Sequence, residues 1–323
     1  MKIFIKLIVG VVFFCNTVYA NESLKSIYEN VILKNSQDSL VEIKKLKKVI
    51  SQNKEAEIKN QFTSFVKSWK SVQAFYILGD LDDNYLDTPR YIDIFHHGNE
   101  DITKQLDLII QSKEDLSISL YKNSHKTVNA LEYILFTKDL HNKKIQQIAL
   151  IITDKIEENL QEIYDGYISS KEVFTKDELA SNAMMLNALI ENSYKLKEWR
   201  IGDPSGLSRK FKGKPSNERA EYYLSKNSIE AIKSILKTHL EVLDNQTYEN
   251  FGTMIRSYNV NDELNDAVRY LQNSLKKAND IQNDDFTNTK KLYKEVRKVH
   301  ATYYISLIGK LQITAKILDA DGD

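Results

Sequence analysis

The sequence predicts an all-α chain folded as two helical bundles packed side by side. Three observations carry this. Only 10 glycines and 3 prolines occur in 323 residues, well below the roughly 12% of ordinary usage, whereas strand-rich folds need such turn residues every few positions. Apolar residues make up 42% and charged residues 28%, which is too apolar for a disordered chain and sufficient for a large core or two domains. Along most of the chain the apolar residues recur at spacings of three and four, the helical period. The 45 basic residues are matched by 45 acidic ones, so no basic field exists to hold a phosphate backbone, and nucleic-acid binding is excluded.

The first twenty residues are of another kind. Lys2 and Lys6 precede an apolar run over 7–15 broken only by Gly10, and Val18-Tyr19-Ala20 ends it. This is the pattern of a secretory leader, expected to be cleaved after Ala20 and to deliver a periplasmic product beginning at Asn21. The run is shorter than the roughly 20 residues of a membrane span, and nothing later exceeds it. Cys15 offers lipoprotein acylation as an alternative, but the residue before an acylated cysteine is normally small and here it is Phe14. Cleavage after Ala20 would leave no cysteine, which excludes disulfides, thiolate metal sites and a cysteine nucleophile.

The first bundle, expected over 21–170, opens with a helical stretch near 41–50. Over 54–78 the residues Ile58, Phe62, Phe65, Val66, Trp69, Val72, Phe75 and Tyr76 mark one face of a long amphipathic helix. Gly79-Asp80-Leu81-Asp82-Asp83-Asn84 breaks it, and Thr88-Pro89 delays the next. Helices over 99–110, 124–136 and 143–168 complete the bundle, the last carrying Ile148, Ile152, Ile156, Leu160 and Ile163. A boundary is expected at 169–174.

The second bundle, expected over 171–323, begins with Thr175-Lys176-Asp177-Glu178, a capping-box pattern. The helix it starts runs to about Trp199. Gly202, Pro204, Gly206, Gly213 and Pro215 crowd the following loop over 202–216, the signature of a long functional connection. Helices over 225–243, 248–257, 262–280 and 287–313 make up a second four-helix bundle.

Chemistry concentrates in two places. In Asn123-Ser124-His125-Lys126-Thr127-Val128-Asn129-Ala130-Leu131-Glu132, helical spacing puts His125, Asn129 and Glu132 on one face. An imidazole and a carboxylate so placed suit metal ligation or an oriented general base, although a solvated polar stripe is the commoner origin of such a triplet. Asp93, His96, His97 and Glu100 also fall at spacings of three and four, a nitrogen and oxygen set suited to iron, zinc or manganese. A helix end carrying histidines near the negative pole of its dipole explains the same residues. No nucleophile elbow, zincin motif or phosphate loop occurs.

The run Thr127 to Phe136 resembles the G-x-H-x-x-E segment of the imelysin family. Further pieces fall in the same order as in that family: Trp69 in its apolar helix, Arg90-Tyr91-Ile92-Asp93-Ile94-Phe95, Glu221-Tyr222-Tyr223-Leu224-Ser225-Lys226-Asn227-Ser228, and the terminal Asp321-Gly322-Asp323. The resemblance implies a periplasmic helical protein of two bundles, linked to iron or haem acquisition and in some members labelled a peptidase. This chain departs from the motif, with Thr127 in place of its glycine and Asn129 in place of its histidine. Asparagine has no basic lone pair and is a poor metal ligand, so only Glu132 matches.

The expectation is therefore a non-catalytic accessory protein that binds a ligand or a metal and assists iron or haem uptake. The expected ligand-binding residues are Asn129, Glu132, Arg90, Asp93, Asn227 and Ser228. For a divalent metal such as iron the expected ligands are Glu132, His125, His96 and His97. Two alternatives are a metal-dependent peptidase with Glu132 as base, and an envelope scaffold that presents the 202–216 loop to a protein partner.

Overall fold

The computed structural model describes residues 22–98 and 100–316. The leader, Cys15 and the terminal Asp321-Gly322-Asp323 lie outside the described residues, which contain helices and no strand. Helix α1 (Lys34–Ser51) is entered through a π-helical turn at Tyr28–Leu33 and packs on α2 (Glu55–Ala74). The stripe Ile58, Phe62, Phe65, Val66, Trp69 and Val72 read from the sequence is the buried face of α2. The helix stops four residues short of the expected end, at Ala74. Next comes the short α3 (Thr88–Ile92), with Pro89 in its first turn, where a missing N–H costs nothing. Helices α4 (Ile102–Gln111), α5 (Val128–Thr137) and α6 (Lys143–Lys176) close the first half.

Helix α6 differs most from expectation, because it runs straight through the boundary expected at 169–174. The polar residues Ser169, Lys171 and Glu172 mark only its outward face. Ile163, Tyr167, Ser170 and Phe174 continue the buried stripe at spacings of four, three and four. Thr175 sits inside the helix and donates its hydroxyl hydrogen back to the Lys171 carbonyl at 3.0 Å. The cap of α7 (Glu178–Lys195) is Asp177, whose carboxylate accepts from the Ala180 amide at 3.0 Å.

After α7 the helix widens into a π-helical turn at Leu196–Gly202, so that Leu196, Arg200 and Ile201 all turn inward. The second half continues through α8 (Ser228–Asp244), α9 (Phe251–Ser257), α10 (Asn261–Asn279) and α11 (Lys290–Ala301). The helix expected over 287–313 is divided: α11 passes into a third π-helical turn at Thr302–Leu307 before a last short turn. Helix α8 packs both on α10 and, across the molecule, on α2. Buried apolar residues from Leu24 to Leu307 form one cluster through both halves.

The 202–216 loop is closed on itself by backbone bonds from Gly213 N to Gly206 O and from Ser216 N to Pro204 O, both 2.8 Å. Gly206, with φ of 66°, makes this possible, because a Cβ there would lie 2.7 Å from Pro215 N. The tightest glycine contact lies elsewhere: a Cβ on Gly252 would stand 1.8 Å from the Leu243 carbonyl oxygen. Gly252→Ala must move the backbone of α8 or α9, and should lower stability by about 2 kcal/mol or more in denaturant unfolding.

Candidate functional site

At the centre of the molecule four charged side chains meet out of contact with water. Lys70, on the buried face of α2, is 0% exposed, and Asp93, Arg200 and Glu221 are each 4% exposed or less. The Lys70 ammonium donates to Asp93 Oδ2 at 2.6 Å, Glu221 Oε1 at 2.5 Å and Gln73 Oε1 at 2.7 Å, which uses all three of its hydrogens. Arg200, held inward by the π-helical turn, donates from Nε to Glu221 Oε2 at 2.7 Å and from Nη2 to Gln73 Oε1 at 2.8 Å. Its Nη1 is buried with no partner. Two cations face two anions, the balance that lets charges persist in a low dielectric.

Asp93 is the most heavily bonded of the four. Its Oδ2 also accepts from Trp69 Nε1 at 3.1 Å and from the Tyr222 hydroxyl at 3.0 Å, and its Oδ1 accepts from the Phe95 amide at 3.0 Å. Burial alone would raise this carboxyl, but Lys70, the Phe95 amide and the charge of Arg200 hold it well below the usual carboxylate range. Burial pushes the Tyr222 hydroxyl the other way, well above the ordinary tyrosine value.

Helix α5 braces the same centre from one side. Asn129 Oδ1 accepts from the Ile94 amide at 2.9 Å, which fixes the strand of chain that carries Asp93. Glu132 Oε1 accepts from the Ser225 amide at 2.8 Å and the Ser225 hydroxyl at 2.7 Å, which fixes the loop that carries Glu221 and Tyr222. Glu132 is buried, and desolvation raises its carboxyl to about 7 although Ser225 pulls it back.

Beside this lattice lies a cleft of about 490 Å³ between the segment over 73–97 and the α7 end with its π-helical turn. Asp93 and Arg200 form part of its wall, together with Arg90, His97, Lys195 and Trp199.

The family model described as imelysin matches residues 26–303. The chain belongs to the imelysin family. Two solved structures share the fold of this imelysin-family chain. An imelysin-like protein from Psychrobacter arcticum 273-4 aligns with a TM-score of 0.75 at 15% identity, over 93% of this chain and 98% of its own. A protein from Parabacteroides distasonis ATCC 8503 described as an iron-regulated protein A precursor aligns with a TM-score of 0.68 at 13% identity, over 90% and 95%. No curated protein matches the sequence.

In this imelysin-family chain Asn129 and Glu132 act as a brace, through Asn129 Oδ1 and Glu132 Oε1. His125 does not join Glu132. Residues Asn123–Lys126 form a 3-10 turn and Thr127 is extended as the cap of α5, so the shared helical face assumed from the spacing does not exist. His125 Nε2 instead meets Gln105 Oε1 at 2.7 Å, and burial followed by the charge of Lys122 lowers its pKa.

The set Asp93, His96, His97 and Glu100 is likewise dispersed, because the chain leaves helix at Asp93 and His96 adopts a φ of 63°. His96 stacks on Trp199 with ring centres 4.7 Å apart and reaches Asp203 Oδ2 at 2.9 Å. His97 meets Trp199 edge-on, and Glu100 accepts from Ser124 at 2.9 Å. Arg90 pairs with Asp87 at 3.2 Å on the cleft wall.

Asn227 and Ser228 are buried, and the Asn227 amide donates to the Tyr222 carbonyl at 3.2 Å. Asn227 Oδ1 accepts from the Thr63 hydroxyl at 2.8 Å, and the Ser228 amide donates to Asp284 Oδ2 at 2.7 Å. Among the described residues, the one set of three His, Asp or Glu ligand atoms close enough for a metal is Glu55, Asp139 and His141, at the exposed surface.

Sequence reasoning missed Lys70, Arg200 and Glu221. A signal for the first was present, since Lys70 falls in the series Phe62, Val66, Lys70, Ala74, an apolar row with a charge inside it.

Lys70→Met should cost about 3–5 kcal/mol in denaturant unfolding, because it strands a buried negative charge; adding Glu221→Gln should recover part of the loss. Glu132 has a folded pKa raised from 4.5 to about 7, so its burial penalty is absent below the unfolded value and complete above the folded one. Glu132→Gln keeps an acceptor for Ser225 and removes the penalty. Relative to wild type, the variant should therefore gain stability as pH rises from about 5 to about 8, by up to about 3 kcal/mol. A constant difference across that range would contradict this assignment.

Proposed function

We propose that this imelysin-family protein is an exported, non-catalytic binding protein that assists iron or haem uptake, with its ligand seated in the cleft beside the charged lattice. The observation that carries this reading is the state of the motif helix. A catalytic carboxylate must reach substrate, and Glu132 is buried with one oxygen committed to two Ser225 donors. The position where the family motif has histidine is Asn129, whose oxygen is committed to the Ile94 amide. Asn129 has no acceptor left for a metal or a water, and Glu132, tied through Oε1 to Ser225, is not among the residues that line the cleft.

Supporting the uptake role are the leader pattern over 1–20 and a fold shared with a protein described as iron-regulated. The cleft has the size and mixed lining of a small-molecule site.

Calorimetric titration of the purified protein with haem, ferric chelates and ferrous iron, run beside a peptide-cleavage assay, tests this reading. The expected result is saturable binding of an iron-bearing ligand and no cleavage. Chelator-sensitive cleavage that disappears in Glu132→Gln would establish a metallopeptidase instead.

A further inference from the structure

We infer that the cleft takes a small organic polycarboxylate, with one carboxylate group bound at Arg200. The inference deepens the reading above, since it names the chemistry by which that cleft would hold its ligand.

The starting point is an unmet donor. Lys70 spends all three hydrogens inside the lattice, whereas Arg200 spends only Nε and Nη2 and keeps two hydrogens on Nη1 without an acceptor. Arg200 is 4% exposed and forms part of the cleft wall. A buried guanidinium nitrogen with no acceptor costs free energy that a ligand oxygen can return, and an ionised oxygen returns the most.

The sign of the vacancy decides against a bare metal ion. What is missing is an acceptor for a cation's hydrogens, and a metal ion offers none. Nor does the cleft supply a cage, because the one three-ligand cluster among the described residues is the distant surface set of Glu55, Asp139 and His141. The carboxylates on the cleft wall are already matched: Asp93 with Lys70, Asp87 with Arg90, Glu191 with Lys195 and Asp80 with Lys316.

Those last pairs also explain why more than one carboxylate can be held. Each of these pairs has one half-exposed member, Glu191 at 51% opposite Lys195 at 26% and Lys316 at 54% opposite Asp80 at 20%, and ion pairs so open to water are worth only about 0–1 kcal/mol. Lys195 and Lys316 can therefore exchange their protein partners for ligand carboxylates at little cost, while Arg200 anchors the buried end. Trp199 supplies an apolar face on the same wall.

The test is calorimetric titration of the purified protein with tricarballylate, citrate, ferric citrate and ferrous sulfate. Tricarballylate and citrate should bind, and Lys195→Gln, on the cleft wall, should weaken them severalfold. Arg200→Gln should weaken them by about tenfold or more. Because Arg200 also holds Glu221, its variant is read only if its unfolding midpoint matches that of the wild type; Lys195→Gln carries the test otherwise. Ferric citrate binding with the same dependence on Lys195 also supports the inference. Binding of ferrous iron with no binding of any carboxylate overturns it, as does binding of carboxylates that Lys195→Gln leaves unchanged. If the free acids bind and ferric citrate is rejected, the carboxylate site stands and the iron-uptake reading fails.

Discussion

Removing an ammonium from water costs several kcal/mol unless its charge and all its hydrogens are answered, and in this protein that demand falls on Lys70, in the middle of the core. Its three partners come from α2 itself, from the chain after α3 and from the loop before α8. Each partner must in turn be held still. Trp69, Phe95 and Tyr222 hold Asp93, Arg200 holds Glu221, and α5 clamps the two backbone segments that carry the acids. The site is thus a consequence of one buried charge, and the apolar cluster around it excludes the water that would otherwise solvate it.

The helix face carrying Asn129 and Glu132 gains a different meaning in this light. Its residues bond to the amides of Ile94 and Ser225, each within a few positions of a lattice acid. Glu132 pays for this position in solvation, which is why its carboxyl sits near neutrality while Asp93, with Lys70 and four donors in all, stays ionised. Two buried carboxylates in one neighbourhood are separated in acidity by whether a cation touches them.

Much of the fold was legible in the sequence because the buried stripes obey a simple period. Ile58 to Val72 on α2 and Ile148 to Ile163 on α6 are read correctly from spacing alone. The boundary expected at 169–174 falls inside α6, where polar residues on an outward face look like a linker when the inward Tyr167 and Phe174 are not counted together. The candidate ligand sets are not brought together as their spacing implied, for a related reason. Spacings of three and four imply a shared face only on an unbroken helix, and Thr127 and His96 each break the chain's helical course. Arg200 was hidden by a π-helical turn, whose extra residue shifts the facing of every side chain after it. Glu221 was visible in the family stretch, but its partner lies 151 positions away, a separation no local pattern reports.

Lys70 and Asp93 belong to the elements before the end of α6, and Arg200 and Glu221 to those after it. Each side brings one cation and one anion, so the lattice joins two neutral dipoles and not a positive face to a negative one. Attraction between dipoles fades faster with distance than attraction between charges, and gives little long-range steering. The lattice therefore acts only at close range, where its contacts reward the correct register of the two sets of elements. Dissolved salt, which screens charges beyond about 10 Å at 0.1 M, has little to weaken in buried contacts of 2.5–2.7 Å.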